Sequence, residues 1–454
     1  MREKVIMISK RWLLLLLALP FMVSSCSKDD DDATVNDYCY IKSVTLGTVK
    51  RQTATVNTSF AGSYYEMTID QRTNTIENRD SLPYGSQLSR VVATITFDGS
   101  SLSYREKGSG AGWTAYNSTD SLDLTKPLEL NLTSNDNQSS RIYTFKVNVH
   151  KQEGDSLYWK QCDNEVAELA GMTDMKAFVL GDKLLVLGKK STGVVLIERS
   201  GIDAQGTWEE AETNLPVEAD VQTLRQQEGT LYLSTTDGKV FSSFDAKGWT
   251  QVGTTHPAGL SLIEKSEKFF YALSEGKLLR SADATTWEED KLDSEANLLP
   301  QTGIRALSVE QANGNNRIIL VGQNDGQTNA VVWNKMWNDS EKEEDAEWTF
   351  FPLTHDNTIP CPRLEYLNLL SYDGKCIAFG GASSDEKHKA LDALYVSQDY
   401  GITWRPSTTI KMPSELKGIE GCITSTVDKN YFIWIITNAQ VWRGRLNRLG
   451  FAQQ

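Results

Sequence analysis

Six polar side chains stand near the starts of apolar runs in the second part of the chain: Lys176, Gln222, Ser261, Arg305, Arg363 and Glu420, with Glu365 two residues behind Arg363. Brought to one axis they would form a polar ring with two arginines and two carboxylates. Guanidinium groups offer planar, bidentate hydrogen bonds to an anionic or hydroxyl-rich partner, which lysine imitates poorly. Two carboxylates flanking one bond would also suit acid–base hydrolysis of a glycoside. Metal chemistry finds less to build on. The four histidines (His150, His256, His355, His388) and the cysteines have no zinc-type spacing, and no C-x-x-C pair occurs, so neither a metal nor a cofactor is expected.

The elements that would carry this ring repeat. Trp159, Trp208, Trp249, Trp287, Trp348 and Trp404 close similar units. Between consecutive tryptophans the order is an apolar strand, a Gly or Asp turn, a stronger apolar strand, a polar turn, a third strand and then the tryptophan strand. Four short antiparallel strands at this period describe a propeller blade. After Trp404 the chain supplies only three more strands, whereas Trp159 opens the domain on a strand with no blade before it. The stretch Leu157 to Cys162 is therefore expected to complete the last blade, giving six blades over residues 155–454. Innermost strand starts and the loops crossing the mouth are where such a fold holds a ligand. The acidic run Ser340 to Glu347 lacks the alternating ligands of a calcium loop and reads as a solvated excursion.

Residues 36–150 have a period of two. In Ile142 to His150, Tyr143, Phe145, Val147 and Val149 share one face and polar residues the other, and similar runs occur at Tyr38 to Leu46, Tyr64 to Ile69, Leu88 to Phe97 and Leu128 to Leu132. Short strands without a helical period predict a small β-sandwich, so the whole chain is expected to be all-β. Ahead of it, four basic residues, an apolar run from Trp12 to Val23 and Ser24-Ser25-Cys26 form a signal peptide over residues 1–25, and the apolar run is short for a membrane span. An acidic linker, residues 26–35, follows.

Several resemblances sit on these residues. Val23-Ser24-Ser25-Cys26 resembles the bacterial lipobox, which implies lipidation of Cys26 and anchoring by its acyl chains. Ser27-Lys28-Asp29-Asp30-Asp31-Asp32 resembles the export signal of surface-displayed Bacteroidota lipoproteins, which implies an outer-membrane location facing the exterior. The small domain is similar to bacterial surface Ig-like domains. Ser397-Gln398-Asp399-Tyr400-Gly401-Ile402-Thr403-Trp404 resembles the Asp-box of sialidase-type propellers, and Ser281 to Trp287 a version one residue short. The resemblance implies structural roles for Ser397, Asp399, Gly401, Trp404, Asp283 and Trp287, on turns away from the mouth. Phe379-Gly380-Gly381, with Tyr395 and Trp404, looks like a kelch blade. Sialidase chemistry needs an arginine triad, yet the opening strand from Asp174 to Phe178 has no arginine, and copper of the galactose oxidase type would need more histidine. The whole arrangement resembles Bacteroidota surface lipoproteins with an Ig-like domain and an Asp-box propeller.

Charge narrows the partners. The signal peptide carries four basic residues and one acid, so the processed chain holds 42 basic and 59 acidic residues, a net −17 against −14 for the whole sequence. Such a body repels phosphate backbones, which excludes nucleic acid, and its only expected hold on a membrane is the lipid. The leading expectation is a non-enzymatic surface protein that binds a glycan or a protein at the propeller mouth. A carbohydrate-active hydrolase or lyase using Glu365, Glu420 and the arginines, and a structural subunit of an outer-membrane assembly, are the alternatives.

Overall fold

The computed structural model describes residues 37–203, 205–253, 256–310, 314–354, 358–383 and 386–448. The signal peptide, Cys26 and the acidic linker lie outside the described residues. Two compact units divide at Val149 and His150.

Among its described residues the first unit consists of one six-stranded and two three-stranded sheets. Alternation does the sorting: Val91, Ala93 and Ile95 from one strand, Leu128, Leu130 and Leu132 from another, and Tyr143 and Phe145 from a third all enter one core. The last strand runs Ser140–Lys146 and stops short of the expected His150, because the buried side chain of Asn78 takes over. Its Oδ1 accepts the Asn148 N–H at 2.6 Å and its Nδ2 donates to Asn148 O at 2.9 Å. Val147 and Val149 still pack against the core. A parallel pairing of this strand with Thr75–Asn78 closes that edge.

The second unit contains six four-stranded antiparallel sheets among the described residues. Their inner strands are Asp174–Leu180, Arg225–Gln227, Ser261–Lys265, Thr302–Glu310, Asn368–Tyr372 and Ile423–Val427. From the second onward each inner strand packs beside the next, the sixth packs beside the first, and the first packs against the turn Val221–Thr223 that leads into the second, which is the ring of a β-propeller. A second strand buried on both faces needs no alternation. In Lys183–Lys190, Leu184 and Val186 join the core shared with Trp434 and Ile436 of the sixth sheet, while Leu185 and Leu187 join the core shared with Leu231 and Leu233 of the second.

The chain closes on itself. Ser156–Asp163 pairs antiparallel with Val441–Asn447, supplying the fourth strand of the sixth sheet as the sequence implies. Trp159 lies opposite Gly444, where any Cβ would strike its ring, and its Nε1–H donates to Lys411 O at 2.7 Å.

Three of the turns before the fourth strands are carboxylate-centred. Asp399 accepts from Ser397 Oγ (2.8 Å), Thr403 N (2.9 Å) and Thr403 Oγ1 (2.6 Å), and the buried Trp404 donates to Gly401 O at 2.9 Å. Asp283 accepts from the Thr285 and Thr286 amides at 2.8 Å. A third such turn was not read from the sequence. There Asp245 accepts from the Lys247 and Gly248 amides at 2.9 Å, and Trp249 donates to Ala246 O at 2.8 Å.

The acidic run at 340–347 is not a free excursion. Glu343 is 2% exposed and accepts from Tyr271 Oη at 2.8 Å, and Ala346 is buried. Below it the fully buried Lys335 donates to Asp290 Oδ2 at 2.8 Å and to Ala346 O at 2.6 Å, while Trp348 Nε1 donates to the same Asp290 oxygen at 2.9 Å. The insertion is docked by a charge pair that burial forces to be satisfied.

Candidate functional site

Each junction between neighbouring inner strands carries a side-chain hydrogen bond, and these bonds explain why the channel is polar. Gln222 donates to Met175 O at 2.9 Å, Arg225 to Ile263 O, Arg305 to Leu367 O at 2.7 Å and Asn368 to Ile423 O at 3.1 Å. Ser308 bonds Glu264, and the Ala177 amide donates to Thr424 Oγ1 at 2.8 Å. Inner strands of different sheets do not share a ladder, so their backbone groups facing the axis need these partners.

At the end where the inner strands begin, a cavity of about 520 Å³ opens. Asp174, Asp220, Gln222, Arg225, Arg305 and Tyr366 line it, together with Ser261 and the 301–305 segment. Lys176 and Glu264 stand among the same charges, since Arg225, Arg305 and Asp174 all act on Lys176, and Arg225 and Lys176 on Glu264. Three cations thus face three carboxylates. Gln222 holds the group together by donating to Asp174 Oδ1 at 2.5 Å, while Asp220 caps the short turn beneath it by accepting the Gln222 amide at 3.0 Å.

Burial dominates the electrostatics. It raises Asp174 and Glu264 above the usual carboxylate range, against the pull of Gln222 and Arg305 on the first and of Arg225 on the second. Burial, reinforced by repulsion from Arg225 and Arg305, brings Lys176 down to about 7, and burial lowers Arg305 to about 10. For Lys176 the folded value lies below the unfolded one, so between pH 7 and 10 the unfolded chain holds more protons and stability rises with pH. The stability difference between Lys176→Met and the native protein should therefore change across pH 7 to 10 and stay flat below pH 6. Denaturant titrations at pH 5.5, 7.5 and 9.5 measure it, and a difference constant across all three would contradict the assignment.

The structure brings Lys176, Gln222, Ser261 and Arg305 together and leaves three other candidates apart. Arg363 lies on the segment before the fifth inner strand, where its Nε donates to Gln323 Oε1 at 3.0 Å and its guanidinium approaches the exposed Asp325 at 3.7 Å. Glu365 and Glu420 are exposed and do not line the cavity. Arg363 and Glu420 precede their strands by five and three residues, but Gln222 also precedes its strand by three and does line the cavity, so distance from the apolar onset does not by itself decide which side chains reach the axis. Asp174, Asp220, Arg225, Glu264 and Tyr366 were missed. Asp174 was legible, being two residues from Lys176 and hence on its face. Glu264 was not, because a register shift between Leu262 and Glu264 breaks the alternation from Ser261.

Comparison with known proteins follows the same two-part division. No curated protein matches the sequence significantly. Among solved structures, the extracellular domain described as that of a hybrid two component system from B. thetaiotaomicron is 13% identical with a TM-score of 0.34, covering 70% of this chain. This chain spans only 36% of that protein's length. An α-L-arabinofuranosidase from Fusarium graminearum is 10% identical (TM-score 0.39; 66% of this chain, 99% of that one). YCF48 from Cyanidioschyzon merolae is 10% identical (TM-score 0.33; 63% and 98%). Family models match both units: residues 44–147 match the DUF6242 N-terminal domain, of unknown function, and residues 153–454 the DUF6242 beta propeller domain. With its propeller unit and most of its first unit matched, the chain belongs to the DUF6242 family.

Proposed function

We propose that this protein is a lipid-anchored, surface-displayed binding protein without enzymatic activity, recognising a glycan or a protein segment at the propeller mouth. On this reading the six sheets are six blades, the first unit is an Ig-like spacer, and Cys26 carries the acyl chains that hold the protein to the outer membrane. One observation carries the functional part: a mouth cavity of about 520 Å³ in which carboxylate, amide, guanidinium and phenol groups converge on fixed supports. Arg305, Arg225 and the Gln222 amide nitrogen are committed to backbone carbonyls, which leaves the Asp174 and Asp220 carboxylates and Tyr366 to meet a ligand. Polar groups held in place before binding lose little entropy on association. A hydrolase remains the second reading: Glu365 and Glu420 are not in the cavity lining, but Asp174 and Asp220 place two carboxylates there.

The test is retention on arrays of glycans and peptides with no product formed on prolonged incubation. Release of reducing ends would defeat the non-enzymatic reading. For the anchor, Cys26→Ala should abolish palmitate incorporation and surface protease sensitivity on intact cells; unchanged labelling would overturn it.

A further inference from the structure

At the end of the channel opposite the mouth, where the inner strands finish, two cavities of about 530 and 610 Å³ meet at Val309 and Glu310. One runs out to Tyr431 and Tyr400, the other to Trp337 and Arg317. The two lie side by side on this face and share Val309 and Glu310 in their linings, and are together termed the groove. We propose that the groove is a second binding site and that it takes a neutral oligosaccharide chain.

Aromatic side chains recur along its length, and the most exposed of them is held in place. Tyr431 is 70% exposed, a bulky residue at φ +61° in the left-handed region that such residues rarely occupy. Its amide donates to Asp428 O at 3.0 Å and its carbonyl accepts from Tyr372 Oη at 2.9 Å. An exposed ring on a fixed backbone offers an apolar face to water while contributing little to the core, as a sugar-stacking platform requires. Tyr400 is oriented too, with the Arg317 guanidinium 4.7 Å from its ring centroid.

Charge then selects the ligand. The larger cavity sets Glu267, Glu310, Asp339 and Glu343 against an equal number of cations, and several of these groups are already engaged: Glu343 with Tyr271, Lys265 with Ser266 O, and Lys268 with Glu344. In the smaller cavity Asp373 is paired with Arg448 and Lys375, Asp428 holds the Trp434 indole and Lys429 is paired with Asp182, so its lining, which includes Glu310, carries no excess of positive charge. Many hydrogen-bonding groups without positive excess suit paired hydroxyls and disfavour an anionic polymer, which the negative body repels as well.

The full chain, solubilised in detergent, is titrated calorimetrically with maltohexaose, cellohexaose and arabinohexaose, with hexagalacturonate as the anionic probe. At least one neutral hexasaccharide should bind. Its affinity should fall tenfold or more in Tyr431→Asn, which removes the ring while keeping a residue suited to the left-handed backbone, and in Glu310→Gln, yet hold in the mouth variant Asp174→Asn. The proposal is overturned if no neutral hexasaccharide binds, if hexagalacturonate binds better, or if binding survives both groove variants. Loss in Asp174→Asn alone would place the sugar at the mouth and leave the groove without a ligand.

Discussion

Asp290→Ala should destabilise the propeller by about 3–5 kcal/mol, the penalty for leaving a buried cation unpaired. Both side chains of the Asp290–Lys335 pair are fully buried, 2.8 Å apart. Asp290 also holds the Trp348 indole at 2.9 Å and faces Arg280 at 3.3 Å, so its loss strips the indole of its acceptor and leaves the buried Lys335 charge with the Ala346 carbonyl alone, while Arg280 keeps Glu288. Lys335→Met should cost less, because Arg280 and Trp348 still compensate the carboxylate. Chemical denaturation gives both values; an Asp290→Ala variant within 1 kcal/mol of native, or less damaging than Lys335→Met, would contradict this account.

Deleting residues 155–163 should make the protein aggregate. The deletion uncovers the edge of Val441–Asn447, a ready template for intermolecular pairing. It also removes Asp163, whose Oδ2 accepts from the fully buried Arg199 at 3.1 Å and from Trp208 Nε1 at 3.0 Å. A buried guanidinium without its carboxylate adds the cost of an unpaired charge to that of the open edge. Light scattering and thermal melting report the outcome. A monomeric variant melting cooperatively at the native temperature would show that the ring does not depend on this closure.

The closing strand was legible because its evidence is arithmetic: three strands after Trp404 and one orphan strand at Trp159 make a complete sheet. The carboxylate turn at Asp399 was legible because its residues form a continuous pattern. Its relative at Asp245 was not, since Ser243-Phe244-Asp245-Ala246-Lys247-Gly248-Trp249 lacks the threonine and keeps only the hydrogen-bonding skeleton. Glu343 looked solvated because charge runs usually are, while its partners Tyr271 and Lys335's cluster come from other strands and cannot be paired by local pattern. The channel was half legible for a geometric reason. Which residues face an axis depends on strand parity and on bulges, and the register shift at Leu262 to Glu264 hides the second while apolar onsets misstate the first.

The most direct test of the mouth as the binding site is array retention by the native protein, Asp174→Asn and Tyr431→Asn measured side by side. Asp174 lines the cavity, and asparagine keeps its shape and one acceptor for Gln222 while removing the charge. At least one retained ligand should be lost tenfold or more in Asp174→Asn, be kept in Tyr431→Asn, and be recovered chemically unchanged. If Asp174→Asn keeps every ligand that the native protein retains, the mouth is not where this protein binds.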